Sequence, residues 1–397
     1  MKKVKFGIIG IGNMGTSHLK NILDGQCPEL EITAVCDLEE SRLTAAKEML
    51  AAAKEKNPEL CDFATYTDAT EMLKSGDIEA VLVAVPHYDH PRYVMEALQN
   101  NVHAMCEKPA GVYTEQVREM IAEADKHPEL VFGMMFNQRT NSVYRKMREI
   151  VQNGEIGNIR RTNWIITSWY RAQAYYDSGS WRATWSGEGG GVLLNQCPHN
   201  LDLWQWICGM PSKVDAKLHY GKWHDIEVED DVTAYVEYPN GATGVFITTT
   251  GDVPGSNRFE ITGDCGKLVF EDGKLKLTKL EMSEPEFSKT NKIPFAWPEL
   301  ETVELQIEDT GKQHVEILNS FAAAILRGEA LIADGREGIN GLTISNAMHL
   351  SSWLGKPVEL PFDEKLYKEE LMKRVATSRR KENVVSVIAD TSATYNN

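Results

Sequence analysis

The stretch VKFGIIGIGNMGTSHLKNIL, residues 4–23, decides the fold. It opens with the short apolar run VKFGII, which predicts a buried β-strand because its apolar residues do not alternate with polar ones. Gly10, Gly12 and Gly15 follow in the pattern GxGxxG, and the residues after them predict a helix to about Asp24. The stretch therefore predicts a strand, a tight glycine turn and a helix, which together open a βαβ unit.

The same turn predicts a dinucleotide-binding site. One glycine would form the turn, one would let the backbone approach a pyrophosphate, and one would let the helix pack on the strand. Asp37 ends the next predicted strand, at the distance from Gly15 where a carboxylate can accept hydrogen bonds from both hydroxyls of the adenosine ribose. Because that carboxylate would repel a 2′-phosphate, we expect NAD as the cofactor rather than NADP. The expected contacts are Gly10, Gly12, Asn13, Met14, Gly15, Asp37 and Arg42.

Two other kinds of glycine turn could produce a similar spacing. A P-loop is excluded because Thr16 stands where its lysine would be. A flavodoxin-like turn, in which the glycines serve packing alone, remains the alternative.

Predicted strands and helices alternate up to residue 136, as in a parallel sheet with crossover helices. After about residue 155, predicted strands follow one another, with turns at 239–241 and 272–273, so we expect a mostly antiparallel sheet. We expect a helix over 189–208, a solvated acidic run over 224–231, and an irregular excursion over 280–300. The fold class is thus α/β, with a doubly wound Rossmann sheet followed by an α+β domain that has a large open sheet. The expected limits are 1–136 for the nucleotide domain, 137–361 for the second domain, and 362–397 for a charged C-terminal helix and tail.

Composition excludes several classes of protein. The chain has 397 residues, of which 42% are hydrophobic and 25% charged, as in a globular enzyme with two domains. The formal net charge of −16 argues against nucleic acid as a partner. No apolar run approaches the roughly 18 residues of a membrane span, and the apolar run after the first lysines is too short and glycine-rich for a signal peptide. Seven scattered cysteines without a CxxC pair suggest free thiols in the cytoplasm.

Four segments resemble the Gfo/Idh/MocA family of oxidoreductases, which includes glucose–fructose oxidoreductase and inositol 2-dehydrogenase. The resemblance becomes recognisable at Cys106-Glu107-Lys108-Pro109, extends to about residue 361, and is specific because the four segments occur together. The segments are VLVAVPHYDHPRYVMEALQNNVHAMCEKPAG (81–111), MFNQRTNSVYRKMREIVQNGEIGNIRR (135–161), GGGVLLNQCPHNLDLWQWICG (189–209) and VEDDVTAYVEYPNGATGVF (228–246).

This resemblance implies hydride transfer between a nicotinamide and a carbon of a sugar, glycoside or cyclitol. It also implies a homodimer or homotetramer formed through the open sheet. Lys108 matches the lysine of the family's EKP motif, and Asn195 and His199 match its D-x-x-x-H pair, with Asp202 three residues on. The family often has aspartate where this chain has Asn195, and an amide can position a hydroxyl but cannot take its proton.

The same residues suit alcohol oxidation on chemical grounds. Imidazole has a reference pKa of about 6.5, so His199 could take the hydroxyl proton near neutral pH. Lys108 would stabilise the developing alkoxide. On a continuous helix, Asn195, His199 and Asp202 would share one face, and the preceding glycines would let the backbone approach the nicotinamide. A core histidine and a solvated lysine are the structural alternatives. A thiol–imidazole pair with Cys197 is disfavoured because that residue would point to a different face.

Two further groups complete the predicted site. Pro86, His87, His90 and Glu107 are expected near the cofactor, whereas a metal at 87–90 is disfavoured because the ligands are crowded. An aromatic and arginine group precedes the glycines, and it could contact a sugar or belong to the core. The members of this group are Tyr170, Arg171, Tyr175, Tyr176, Trp181, Arg182 and Trp185. The expected substrate contacts are Tyr170, Arg171, Tyr176, Trp181 and Arg182, together with Asp202 from outside the group.

Three functions fit these patterns. The first is an NAD-dependent sugar or cyclitol dehydrogenase. The second is an enzyme that retains NAD and oxidises a glycoside transiently for elimination or epimerisation. The third is a non-catalytic NAD-binding regulatory protein on the same scaffold.

Overall fold

A computed structural model describes residues 2–307, 309–379 and 381. The described chain forms two compact units. The first contains residues of 2–140 and 312–342, and the second contains residues of 141–311 and 343–381. The predicted polar tail, 382–397, lies outside the described residues.

The elements are numbered in chain order. The strands are β1 (Val4–Ile9), β2 (Leu30–Cys36), β3 (Ala64–Tyr66), β4 (Ala80–Val83), β5 (His103–Cys106), β6 (Phe132–Met134), β7 (Ile159–Ile166), β8 (Lys213–Tyr220), β9 (Glu229–Glu237), β10 (Thr243–Thr249), β11 (Asn257–Gly263), β12 (Gly266–Glu271), β13 (Lys274–Leu280), β14 (Leu300–Leu305) and β15 (Val358–Glu359). The helices are α1 (Asn13–Leu23), α2 (Glu40–Lys56), α3 (Ala69–Lys74), α4 (His90–Gln99), α5 (Thr114–Ala124), α6 (Ser142–Gln152), α7 (Gln173–Asp177), α8 (Pro198–Cys208), α9 (Glu284–Thr290), α10 (Gln313–Arg327), α11 (Gly338–Leu354) and α12 (Glu364–Val375).

The first unit is built on a six-stranded parallel sheet in the order β3-β2-β1-β4-β5-β6. The order reverses between β1 and β4, and in sheets of this kind ligands bind at the carboxyl ends of the strands beside such a reversal. The central strands are buried on both faces, which explains why their sequences are apolar without alternation. This confirms the predicted Rossmann sheet.

A late segment of the chain completes the core of this unit. Helix α10 contributes Ile317, Leu318 and Phe321 to a buried cluster that also contains β1 and α1 residues. The Phe321 ring packs edge-on against Phe6 of β1, with 6.4 Å between the ring centroids. The first unit is therefore assembled from two separate stretches of sequence.

The second unit contains a nine-stranded mixed sheet in the order β14-β13-β12-β11-β7-β10-β9-β8-β15. Its strand pairs are antiparallel except for β10 with β7, as expected for a mostly antiparallel sheet. Trp164 of β7 stacks on Phe259, and Trp204 of α8 stacks on Phe246, so α8 covers one face. Alternate residues of β8 and β9 are exposed on the opposite face, which includes Tyr235.

Several sequence-based expectations were wrong. The predicted helix over 189–208 begins only at Pro198, and residues 189–197 form turns. The excursion over 280–300 contains α9 and leads into the edge strand β14. Strands β3, β8, β14 and β15 were not predicted. The charged C-terminal helix is confirmed as α12.

Candidate active site

The glycine turn joins β1 to α1, and each of its three glycines has a different structural reason. Gly10 has a φ of +94°, and a Cβ there would collide with the Ala84 carbonyl. A Cβ at Gly15 would overlap the Gly10 carbonyl oxygen. Gly12 is the N-cap of α1, and apart from its chain neighbours no described atom lies within 4 Å of where its Cβ would be. The open space at Gly12 fits the close approach of a pyrophosphate to the end of α1, whose first turn has no acidic residue.

Asp37 connects the end of β2 to this turn. Its carboxylate accepts hydrogen bonds from the backbone N–H groups of Ile11, at 2.7 Å, and Glu39, at 3.0 Å. Arg42 lies 3.4 Å from the Asp37 carboxylate and 3.1 Å from the Glu39 carboxylate. The guanidinium charge is therefore paired with two carboxylates. Asn13 and Met14, also expected at the cofactor, are the first residues of α1.

The loop after β4 holds three other predicted cofactor residues. Pro86 is exposed and His87 is buried, whereas His90 begins α4. The His90 Nδ1 lies 2.6 Å from the Pro109 carbonyl oxygen, and its Nε2 lies 2.7 Å from that of Val85. Burial lowers the pKa of His90 below its ordinary value, against the opposing effect of these carbonyls. The ring joins the loop after β4 to the loop after β5.

Lys108 follows β5 at the carboxyl edge of the parallel sheet. The carboxylate of the preceding residue, Glu107, is buried and contacts the His18 imidazole of α1 and the backbone N–H of Lys108. Burial by itself raises the pKa of Glu107, but the hydrogen bond with His18 and the charges of His18, His314 and Lys108 lower it to about 2. Sequence reasoning did not single out His18 or His314, because neither lies in a motif that the cofactor chemistry required.

The residues before α8 form a turn rather than the predicted helix. Gly191 explains this departure, since a Cβ there would collide with the backbone carbonyl of Glu229 in β9. The glycine at this position is thus required by packing inside the protein. Pro198 then occupies the first turn of α8, where its missing N–H costs little. Asn195 lies in the turn, so it does not share a helix face with His199.

A buried carboxylate holds this turn in place. Glu229 accepts hydrogen bonds from the backbone N–H groups of Gly191, at 2.8 Å, and Leu193, at 2.9 Å. Glu229 and Asp230 have no exposed surface, so the expectation of a solvated acidic run was wrong at these two positions. They face backbone donors, which supply the stabilisation that water would otherwise give.

Glu188 fixes the orientation of the Asn195 side chain. The Asn195 Nδ2 donates to Glu188 Oε1, and the backbone N–H of Ala183 donates to Glu188 Oε2 at 2.6 Å. Burial raises the pKa of Glu188, partly offset by the positive charge of Arg182. Sequence reasoning missed Glu188. The available signal was its position as a lone charged residue next to a glycine-rich and apolar run.

His199 lies in the first turn of α8 and is buried. Asp202, one turn later on α8, is also buried and accepts a hydrogen bond from Gln205 Nε2 at 3.1 Å. Leu203 and Trp204 of α8 lie in the core. Within the second unit, α8 thus places an imidazole immediately after the turn that carries Asn195.

The aromatic and arginine group divides into two sets. The first set surrounds Asn195. The Tyr175 hydroxyl donates to the Asn195 Oδ1 at 3.3 Å and accepts a hydrogen bond from Arg182 at 3.0 Å. Arg171 also lies over the Tyr175 ring, and Arg182 lies over Trp181. The second set belongs to the core. Tyr176 and Trp185 are both buried, the Tyr176 hydroxyl donates to Thr250, and Trp185 packs on His349. Tyr170 is about half exposed.

Metal-binding and membrane-spanning features were both considered in the sequence. Among the described residues, no group of three or more histidine, cysteine or acidic side chains could hold a metal ion. In the same part of the chain, no helix has both the length and the apolar character that crossing a membrane requires.

Models of known protein families match residues in both units. A model of an oxidoreductase family with an NAD-binding Rossmann fold matches residues 4–134. A model of the GFO/IDH/MocA C-terminal domain matches residues 144–269. The chain belongs to the Gfo/Idh/MocA family of oxidoreductases. Its first unit is the NAD-binding domain of that family, and the resemblance seen in the sequence is confirmed.

Individual family members are similar along most of the chain. The uncharacterized oxidoreductase YrbE of Bacillus subtilis is 26% identical over 370 residues, which cover 92% of this chain and 99% of that protein. The myo-inositol 2-dehydrogenase of Thermotoga maritima is 25% identical, over 87% of this chain and 95% of that protein. The WlbA dehydrogenase of Chromobacterium violaceum, solved with NADH and UDP-GlcNAcA, has a TM-score of 0.76 and 27% identity. This match covers 91% of this chain and 97% of that one.

Proposed function

We propose that this protein is an NAD-dependent dehydrogenase that acts on a secondary alcohol of a sugar, glycoside or inositol. The observation that carries the proposal is a pair of motif residues. Lys108 follows β5 at the same sheet edge as the glycine turn, and His199 lies in the first turn of α8. The names of similar proteins support the substrate class, since one is a myo-inositol 2-dehydrogenase and another was solved with NADH and a sugar nucleotide.

The residues of the glycine turn and Asp37 would hold the cofactor. Gly12 offers the backbone of the α1 N-terminus to the pyrophosphate, and Asp37 retains acceptor capacity for the ribose hydroxyls beyond its two backbone contacts. NAD is preferred to NADP because Asp37 and Glu39 place two carboxylates beside the one arginine, Arg42. When bound, NAD⁺ supplies a nicotinamide carbon that accepts a hydride.

Each catalytic side chain has one task. His199 takes the proton of the substrate hydroxyl as general base. Lys108 donates a hydrogen bond to the same oxygen and stabilises the negative charge that develops on it. Asn195 cannot take a proton. Because Glu188 holds its Nδ2, its Oδ1 faces Tyr175 as an acceptor and positions hydroxyl groups. Arg171, Trp181 and Arg182 are the proposed sugar contacts, together with Tyr170 and Asp202, whereas the buried Tyr176 is assigned to the core.

A spectrophotometric assay of NADH formation with a panel of sugars, glycosides and inositols tests the proposal. Lys108→Met should abolish hydride transfer and leave the Kd for NAD nearly unchanged. Lys126→Met is the matched control, since Lys126 belongs to the same unit and its exposed side chain pairs with the Glu123 carboxylate. Bound NAD without NADH from any substrate would contradict the dehydrogenase. Deuterium entering a glycoside from solvent, without net turnover, would instead identify an enzyme that retains its cofactor.

We also propose that a second copy of the chain covers the open face of the nine-stranded sheet. A face whose alternate residues are exposed on neighbouring strands is suited to association of like sheets, and Tyr235 of β9 is 41% exposed on it. Light scattering should give the mass of a dimer or tetramer, and Tyr235→Glu should shift it toward the monomer. A wild-type monomer at micromolar concentration would contradict this assembly.

A further inference from the structure

Ionisable side chains from three elements meet behind Lys108 within the first unit. His18 comes from α1, Glu107 follows the last residue of β5, and His314 lies in the first turn of α10. The His18 and His314 rings pack edge to face, with 5.3 Å between centroids and an interplanar angle of 75°. The His18 ring has no exposed surface, and Glu107 is 4% exposed. Because these side chains are buried, we expect them to act through the residues that they contact.

The Glu107 carboxylate uses its two oxygens in two directions. His18 Nε2 lies 2.7 Å from Oε1, and because a carboxylate only accepts, the imidazole N–H donates. The backbone N–H of Lys108 donates to Oε2 at 3.1 Å. One rigid carboxylate therefore joins the helix of the glycine turn to the backbone of Lys108.

The surroundings keep this carboxylate ionised and immobile. Burial alone raises the pKa of Glu107, but His18, His314 and Lys108 together bring it to about 2. Burial lowers the pKa of His314 to about 4, aided by the charges of His18 and Lys108 and opposed by Glu107. His90, from α4, also lies within the electrostatic range of Glu107 and Lys108. At neutral pH the negative charge is therefore on Glu107 and a neutral imidazole packs behind His18.

We propose that His18 is a positioning residue for Lys108: by holding the Glu107 carboxylate, it fixes the backbone from which the Lys108 amine extends. This inference rests on the proposed function, in which that amine contacts the substrate hydroxyl. It adds a role for a residue of the phosphate-binding helix that is separate from phosphate binding. Displacing a catalytic group by about 1 Å can reduce the rate of a reaction about 100-fold.

Leucine and glutamine variants separate positioning from stability. His18→Leu removes the donor, and kcat should fall about 10- to 100-fold while the Kd for NAD changes less than about twofold. His18→Gln can still donate to Glu107 and should recover most of the activity. His103→Leu is the matched control. This imidazole also belongs to the first unit and accepts the Val131 backbone N–H at 2.8 Å, at the opposite end of β5 from Lys108.

A second readout does not depend on turnover. Competitive acetylation followed by mass spectrometry measures the reactivity of the Lys108 amine relative to Lys126. That ratio should change by at least about threefold in His18→Leu and stay at the wild-type value in His18→Gln and His103→Leu. If His18→Leu does not fold, Glu107→Asp replaces it, because the shorter carboxylate cannot reach both donors.

The outcomes distinguish this inference from the proposed function. If no sugar is oxidised by the wild type but the acetylation ratio changes as expected, the dehydrogenase proposal fails and the positioning role stands. If His18→Leu retains wild-type kcat and an unchanged ratio, the positioning role is overturned. The same conclusion follows if His103→Leu lowers kcat equally.

Discussion

Alanine should destabilise the protein strongly at Gly10 of the GxGxxG turn and only weakly at Gly12. Gly10→Ala places a Cβ against the Ala84 carbonyl at a φ of +94°, a left-handed conformation that costs about 1–2 kcal/mol for an L-residue before the collision is counted. Gly12→Ala places its Cβ where no described atom beyond its chain neighbours lies within 4 Å, at a φ of −81° that alanine adopts readily. The free energy of unfolding should therefore fall by more than about 2 kcal/mol for Gly10→Ala and by less than about 1 kcal/mol for Gly12→Ala.

Gly12→Ala should nevertheless weaken NAD binding strongly, although it costs little stability. A methyl group at Gly12 blocks the approach of the pyrophosphate to backbone N–H groups, and each hydrogen bond to a charged group contributes about 1.5–3 kcal/mol. The Kd for NAD should therefore rise about 10- to 150-fold in Gly12→Ala. Urea unfolding without cofactor and calorimetric titration with NAD measure the two quantities. A Gly12→Ala protein that is stable and binds NAD within about twofold of wild type would refute this view of the turn.

Three other predictions concern residues around the two sites. Asp37→Ser should shift the ratio of the Kd values for NAD and NADP at least about tenfold toward NADP, and a calorimetric ratio that does not move would show that Asp37 is not the selective group. Glu229→Gln should lower the free energy of unfolding by about 1–3 kcal/mol, because one of two buried backbone N–H groups loses its acceptor, whereas the half-exposed Glu237→Gln should change it little. Burial lowers the pKa of His314 from 6.5 in the unfolded chain to about 4 in the folded protein. The unfolded chain therefore binds this proton more readily between these values, and the folded protein loses stability as the pH falls from 6.5 to 4. His314→Gln should flatten the dependence of the unfolding midpoint between pH 6.5 and 4, and equal slopes would contradict the assignment.

The nucleotide-binding unit could be predicted because its determinants are local. The glycine spacing, the unalternating apolar strands and the acidic residue after β2 all lie between Val4 and Asp37, and each follows from a constraint on backbone geometry. The contribution of α10 could not be foreseen. Its amphipathic pattern predicts a helix near 316–327, but nothing local assigns it to a sheet whose strands all lie before residue 135.

The second unit was harder to predict because its site depends on distant partners. Residues 189–208 were expected to form one helix. A Cβ at residue 191 would collide with the Glu229 backbone, which belongs to a strand much later in the chain. Strand β8 was missed because its sequence KVDAKLHY is half polar, which suits a sheet with one exposed face. Glu188 and Glu229 look like surface residues in sequence. Their roles become evident only when the backbone N–H groups and the Asn195 amide that they accept from are located.

A crystal structure with NAD and a sugar that is oxidised would test the central claim most directly. The account predicts that the Lys108 amine and the His199 imidazole both lie within about 3.2 Å of one substrate hydroxyl oxygen, whose carbon faces the nicotinamide. A substrate bound with that oxygen in contact with neither side chain, or with the two side chains on different groups, would contradict it.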